Sequence, residues 1–189
     1  MRTVTRIALP LFAAVIILTA CSGNAQDHNA QDVSFVQEMI GHHQQAVEMS
    51  TMASTQASSP RVKDLASRIK AAQDPEIRTM KGWLSAWDEP ETAESGDMGG
   101  MDHGGGNGGT GSGTGMMTDA QMAELRAASG AEFDRMFLTA MIEHHQGAVT
   151  TARTELDKGK YEPAKQLSQA IIDAQEKEIT EMQGLLAGS

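Results

Sequence analysis

A long internal repeat dominates this sequence. Residues 35–47, FVQEMIGHHQQAV, return as residues 137–149, FLTAMIEHHQGAV, at a constant offset of 102 positions. Identical residues recur at the same offset outside the motif: Asp32 and Asp134, Lys63 and Lys165, Leu65 and Leu167, Ile69 and Ile171, Gln73 and Gln175, and Met80 and Met182. A gapless repeat of about fifty residues predicts two copies of one helical hairpin that pack face to face. We expect this packing to bring two Met-x-x-His-His motifs into one core.

The paired motifs carry the side chains of a soft metal site. Residues three and four apart share a helical face, so the thioether of Met39 and the imidazole of His42 can reach one point. Di-iron bundles use Glu-x-x-His at this place, whereas a thioether favours Cu(I) and an imidazole accepts copper in either oxidation state. Matching methionines on the partner helices could complete the site. The predicted metal ligands are Met39, His42, His43, Met80, Met141, His144, His145 and Met182.

The same residues also have a purely structural interpretation. Methionine on a helical seam often fills the core, and a buried histidine is often held by a hydrogen bond. The polar groups available for such bonds are Gln44, Gln146, Glu38 and Glu143 near the motifs, and Glu76 and Glu178 at matching positions of the partner helices. The doubling of the motif and the abundance of methionine, with 13 residues, favour metal binding.

The N-terminus has the features of a lipoprotein signal. Arg2 and Arg6 precede an apolar run, and residues 18–21 read Leu-Thr-Ala-Cys, the form of a bacterial lipobox. We therefore expect residues 1–20 to be removed and Cys21 to carry a lipid that anchors the protein outside the cytoplasm. Cys21 is the only cysteine, which excludes an intramolecular disulfide.

Charge and motif content exclude several functions. Removal of residues 1–20 leaves 13 basic against 25 acidic residues, a net charge of −12, which argues against nucleic acid and against broad contact with anionic lipid. We expect membrane contact through the N-terminal lipid only, and the sequence is silent on a protein partner. A nucleophile elbow, a P-loop and a dinucleotide fingerprint are all missing from the sequence, so we do not expect an enzyme or an organic cofactor.

Composition divides the chain into five segments. After the signal peptide we expect a flexible tether at residues 21–31, a first hairpin at 32–90, a disordered linker rich in glycine at 91–117, and a short helix with the second hairpin at 118–189. Residues 32–189 should form one domain. The linker adds weaker candidate ligands for Cu(I) or Ag(I), namely Met98, Met101 and His103.

The helical signals predict an all-α fold, a four-helix bundle of ferritin-like form. The first helix should begin near Ser34, where Ser34-x-x-Gln37 has the form of a capping box, and the second at Pro60 after Ser59. Pro75 should kink or restart the second helix. The remaining helices should cover about residues 118–128, 131–158 and 163–186.

The motif Met39-Ile40-x-His42-His43-Gln44 and its copy resemble the signature of the bacterial family called domain of unknown function 305, over residues 32–187. The resemblance implies a ferritin-like helical bundle that is often secreted or lipid-anchored, with copper binding and copper tolerance in some members. Carried to this sequence, it indicates the ligands Met39, His42, His43, Met141, His144 and His145. Gly41 faces Glu143 in the alignment of the two copies, and Gln45 faces Gly147, so the halves need not bind equally.

These observations favour an extracytoplasmic, lipid-anchored protein that binds copper, as Cu(I), for buffering or resistance. Two alternatives remain open. One is a ferritin-like oxidoreductase with a dinuclear metal site, and the other is a metal-free helical interaction module.

Overall fold

The computed structural model describes residues 27–92 and 115–188, and in these residues the protein is all helical without a strand. The predicted all-α class is therefore confirmed. The helices are α1 (Ala30–Gln56), α2 (Pro60–Trp87), α3 (Asp119–Ala127), α4 (Gly130–Lys158) and α5 (Glu162–Ala187). The predicted signal peptide, Cys21, Met98, Met101 and His103 lie outside the described residues.

The two copies of the repeat form two antiparallel hairpins, α1–α2 and α4–α5. The hairpins meet mainly along α1 and α4, while α3 rests on α4. An ion pair between Arg68 and Glu181, with 2.7 Å between nitrogen and oxygen, links α2 to α5 at the surface. None of the helices described here is both long and apolar enough to cross a membrane.

The apolar core consists of two separate clusters, one toward each end of the bundle. The Phe35 cluster includes Phe35, Met39, Ile40, Met80, Leu84, Ala148, Ala152, Ile171 and Ile172. The Phe137 cluster includes Ala46, Met49, Leu65, Ile69, Phe133, Phe137, Met141, Met182 and Leu185. Since α1 runs from the first cluster to the second and α4 runs from the second to the first, these two helices are antiparallel.

Helix α1 begins earlier than the sequence signal at Ser34 predicted, so that prediction was wrong. The side chain of Asn29 accepts hydrogen bonds from the backbone N–H groups of Gln31 and Asp32, and the Asp32 carboxylate accepts one from the N–H of Asn29. This complete capping box starts the helix at Ala30, within the predicted tether. Asp32 also binds the α4–α5 turn, and this tertiary contact favours the earlier start.

Helix α2 begins at Pro60 as predicted, but it does not restart at Pro75. The helix continues through this proline to Trp87. Ile69, Gln73 and Met80 are all buried on either side of Pro75. A restart would move these residues off their shared buried face. The packing of this face therefore stabilises a continuous helix although Pro75 lacks a backbone N–H.

The hairpins cap each other's turns through a pair of aspartates. The Asp134 carboxylate on α4 accepts hydrogen bonds from the N–H groups of Ser58 and Ser59 in the α1–α2 turn. At the matching place, the Asp32 carboxylate on α1 accepts bonds from the N–H groups of Lys160 and Tyr161 in the α4–α5 turn. Because each aspartate serves the turn of the other copy, the repeat is maintained by contacts between its copies.

Candidate metal centre

A polar layer separates the two apolar clusters at mid-height of the bundle. Each helix of the two hairpins contributes two residues where its buried face passes from one cluster to the other. The layer consists of His42 and His43 of α1, Gln73 and Glu76 of α2, His144 and His145 of α4, and Gln175 and Glu178 of α5. All four histidines have an exposed fraction of 0%. The paired motifs therefore lie at the centre of the bundle.

The imidazole rings of His42 and His144 are in direct contact across the α1–α4 interface. Their centroids lie 3.7 Å apart, and the planes of the rings are inclined by 46°. The expected meeting of the two motifs in one core is confirmed for this pair. Such proximity favours neutral rings, because two imidazolium ions at this distance would repel each other without solvent to screen them.

His144 is held as a neutral imidazole. Burial, followed by repulsion from His42, His145 and His43, lowers the pKa of His144 well below its usual range. Neither ring nitrogen of His144 has a hydrogen-bond partner among the described residues. A buried nitrogen with a free lone pair is costly unless something binds it, and a metal ion is one group that would.

The second histidine of each motif is oriented by a carboxylate. Nε2 of His43 lies 2.7 Å from a carboxylate oxygen of Glu76, and Nε2 of His145 lies 2.7 Å from that of Glu178. Nε2 of each ring faces the carboxylate, which leaves Nδ1 as the ring nitrogen that can meet another partner. Nδ1 of both rings has no hydrogen-bond partner in the described part of the chain. A carboxylate behind an imidazole is the arrangement that orients metal-binding histidines in proteins.

The four predicted methionine ligands border the histidine layer from its two sides. Met39 and Met80 belong to the Phe35 cluster, and Met141 and Met182 belong to the Phe137 cluster. All four side chains are fully buried. The structure thus places one thioether pair on each side of the layer.

The donors that the layer offers suit a soft ion. Within residues 27–92 and 115–188, no group of three or more histidine, cysteine, aspartate or glutamate side chains is arranged to hold a metal ion. The layer offers imidazoles, with thioethers above and below them. Cu(I) and Ag(I) accept mixed imidazole and thioether ligands, whereas hard ions favour oxygen.

The structural interpretation named several hydrogen-bond partners, and the structure selects only two of them. Gln44, Gln146 and Glu143 are exposed, and Glu38 bonds to Thr151 instead. The histidines contact Glu76 and Glu178, which the constant offset of the repeat had paired.

Gln45 has a role that the sequence analysis missed. Its side chain makes two hydrogen bonds to the backbone of Met117. Met117 belongs to the segment predicted as a disordered linker, yet its side chain packs against the Phe137 cluster. Residues 115–117 thus correct the predicted linker boundary. The only available signal was the break in the repeat, where Gln45 faces Gly147.

The fold and the layer define a class of protein, a helical bundle made from two hairpins with paired histidines in a methionine-bordered core. The profile of one family, described as Domain of unknown function (DUF305), matches residues 32–186. The chain therefore belongs to this family, as its motifs indicated. No curated protein matches it.

Solved structures share the fold. A DUF305 protein of Streptomyces coelicolor is similar with a TM-score of 0.73 and 31% identity, over 84% of this chain and 93% of that one. The Cu(I)-bound form of CopM has a TM-score of 0.65 and 31% identity, over 83% of this chain and 96% of CopM. Its Cu(II)-bound form has a TM-score of 0.67 and 34% identity, over 83% and 96% of the two chains.

Proposed function

We propose that this protein binds copper as Cu(I) in the core of the bundle, outside the cytoplasm, and that it buffers the metal or gives resistance to it. The observation that carries the proposal is the contact between His42 and His144, at 3.7 Å between ring centroids, in a fully buried layer. A neutral His144 without a hydrogen-bond partner among the described residues is ready to bind a cation.

The bordering thioethers support Cu(I) over harder ions. Met39 and Met80 lie on one side of the layer, and Met141 and Met182 lie on the other. The bound ion would be held by imidazoles of His42, His43, His144 and His145 with thioethers completing its coordination. Met98, Met101 and His103 would bind further ions more weakly. The copper-bound forms of CopM, a relative of similar fold, agree with this choice of metal.

The proposed location rests on the sequence. The lipobox at residues 18–21 supports a lipid on Cys21 and a position outside the cytoplasm. The similar protein from Streptomyces coelicolor is named as a candidate secreted protein. A lipid-anchored binder without a catalytic step would lower the concentration of free copper near the membrane.

Competition titrations test the metal and its site. The protein from residue 22 onward should bind Cu(I) more tightly than Zn(II), Fe(II) or Mn(II), because thioethers are soft ligands. A variant with Met39→Leu, His42→Gln, Met141→Leu and His144→Gln should lose more than roughly a hundredfold in Cu(I) affinity. Removal of the metal ligands lowers the affinity more than removal of the groups that orient them. Circular dichroism should show unchanged helicity, because the volumes are similar.

The matched control combines Met49→Leu with His28→Gln. Met49 is a fully buried methionine of α1, the helix that carries Met39. His28 stacks on Trp87 at the end of the bundle, away from the layer. The control should keep the affinity of the wild type. A preference for Zn(II) or Fe(II), or tight Cu(I) binding by the four-residue variant, would refute the proposed site.

A dinuclear-metal oxidoreductase is the second candidate, because Glu76 and Glu178 bring two carboxylates to the histidine layer. Di-iron bundles use four carboxylates, and each of these two already bonds to a histidine. Metal analysis separates the candidates, since iron or manganese in the purified protein would favour the enzyme. A purified protein that neither contains nor takes up metal would favour the interaction module.

A further inference from the structure

A short strap crosses the outer side of the α1–α4 interface at the height of the histidines. We define the strap as residues 115–118, which are all half-buried. Gln45, one turn after His42 on α1, holds it with two hydrogen bonds to one residue. The N–H of Met117 donates to Oε1 of Gln45 at 2.8 Å, and Nε2 of Gln45 donates to the Met117 carbonyl at 2.9 Å. Gln45 thus ties the strap to α1, and the Met117 side chain packs against the Phe137 cluster.

The strap also contacts α4, directly at the second motif. Gly115 has a φ of +73°, and a Cβ atom at this position would lie 2.2 Å from the carbonyl oxygen of Glu143 and 3.2 Å from Cα of His144. Only glycine permits both this backbone conformation and this approach. Since Gln45 lies on α1 and His144 on α4, the strap spans the seam between the two helices that carry the histidine pair.

The strap covers the layer on the side of Gln45. At the matching position of the second copy, Gly147 replaces Gln45 and has no side chain to hold a segment. Conversely, the first copy has Gly41 at the position that Glu143 occupies in the second copy. The histidines themselves have an exposed fraction of 0%, so an ion reaches them only if a part of the bundle moves. A short, half-buried strap moves more readily than a packed helix.

We propose that the bonds between Gln45 and Met117 close the α1–α4 seam over the paired histidines and set the rate at which a soft metal ion enters and leaves the core. The role of the seam in metal exchange rests on the function proposed above. Gln45 is a positioning residue, because it acts through the strap and does not bind the ion. In this proposal the bonds are the same in the free and the loaded protein, so their loss changes both rates by the same factor and leaves the affinity unchanged.

Stopped-flow measurement of Cu(I) and Ag(I) transfer to and from a chromophoric chelator tests the proposal on the mature protein. Gln45→Ala should accelerate both uptake and release by roughly tenfold, the factor expected for two hydrogen bonds of ordinary net strength, with the dissociation constant unchanged within about twofold. Gly115→Ala should have the same effect, because its Cβ displaces the strap from Glu143.

Gln44→Ala is the matched control, since Gln44 is the exposed neighbour of Gln45 on the same helix. It should leave both rates as they are in the wild type. Equal rates in Gln45→Ala and the wild type would overturn the proposal. A weaker affinity with accelerated release alone would also overturn it, because the strap would then supply a ligand.

A metal-free measurement separates this inference from the proposed function. Diethyl pyrocarbonate modifies the neutral imidazoles that it can reach, and mass spectrometry locates the modified residue. The peptide with His144 should be modified roughly tenfold faster in Gln45→Ala and Gly115→Ala than in the wild type or Gln44→Ala. If the wild type binds no copper but the rates of His144 modification differ in this way, the proposed function is refuted and the inference that Gln45 closes the seam is supported. If modification is equal in all four proteins, the seam is not closed by Gln45.

Discussion

At the scale of single residues, a buried pair of acids at the α4–α5 turn is the feature farthest from the sequence predictions. Burial, followed by the neighbouring Asp32 carboxylate, raises the pKa of Glu155 to about 8, while Lys165 opposes this shift. Burial also acts on Asp32, yet hydrogen bonds from Glu155 and from the backbone of the turn hold the pKa of Asp32 below its usual range. At neutral pH the proton of the pair therefore resides on Glu155.

Replacing Glu155 with Gln should remove a pH dependence of stability. Because the folded-state pKa of Glu155 is about 8 and its ordinary value is 4.5, the folded state holds a proton that the unfolded state has lost between these values. Stability therefore falls as pH rises through this window. Between about pH 5 and pH 8 we expect the wild type to lose on the order of a few kcal/mol relative to Glu155→Gln, because the lowered pKa of His144 affects both proteins alike.

Urea denaturation at several pH values measures this difference. Glu162→Gln is the control, because Glu162 lies exposed at the start of α5. It should retain the slope of the wild type. The same slope in Glu155→Gln would contradict the assignment of the proton to Glu155.

At the scale of elements, the two hairpins depend on each other for their turns. Asp134 serves the turn between α1 and α2, and Asp32 serves the turn between α4 and α5. The bonded N–H groups lie at helix ends, where no bond within the helix is available to them. Docking of the hairpins and completion of their turns are therefore a single event, and the bundle should unfold in one step.

Asp134→Ala should destabilise the bundle by about 3 kcal/mol, because it removes the charged acceptor of the part-buried backbone N–H groups of Ser58 and Ser59. Asp64→Ala provides the comparison. Asp64 pairs with Arg68, but its side chain is 71% exposed, so its loss should cost less than about 1 kcal/mol. Thermal and urea denaturation of both variants check the difference. Comparable losses would mean that the turn contacts do not couple the hairpins.

At the scale of the whole molecule, the bundle and the segment between the hairpins should contribute separately to metal binding. A variant with Met98→Ser, Met101→Ser and His103→Ser should keep the tightest Cu(I) site, because the proposed ligands of that site belong to the bundle core. It should lose only weaker equivalents, since the sequence predicts a linker here that must be ordered on binding and therefore binds less tightly. Stoichiometry and affinity for Cu(I) test this expectation, with loss of the tightest site as the contradicting result.

The sequence predicted the architecture well because the repeat and the helical period carry the relevant information. The constant offset paired His42 with His144, and the structure puts these rings in contact. The prediction from sequence failed at the start of α1, where two local signals competed. Ser34-x-x-Gln37 and Asn29-x-x-Asp32 both have the form of a capping box in the sequence, and the contact of Asp32 with a distant turn determines which one starts the helix.

Single-copy features were harder to predict for a related reason. Gln45 and Glu155 have no equivalent in the other copy, where Gly147 and Ala53 stand in their places. Their roles depend on residues that are distant in the sequence, Met117 for Gln45 and Asp32 for Glu155. Neither periodicity nor spacing identifies such partners. The breaks in the repeat are visible in the sequence, but the roles of these residues are seen only in the folded chain.

The reciprocal aspartate caps have an evolutionary consequence. A lone hairpin with one such aspartate and one such turn could satisfy every cap by pairing with an identical copy around a two-fold axis. Gene duplication and fusion of that ancestor would preserve each contact while it freed the halves to diverge. In a homodimer, any mutation is introduced twice, so a one-sided strap or a single acid pair could not arise. In the fused chain Gln45 and Glu155 each occur once, so a strap on one side and a single acid pair became possible.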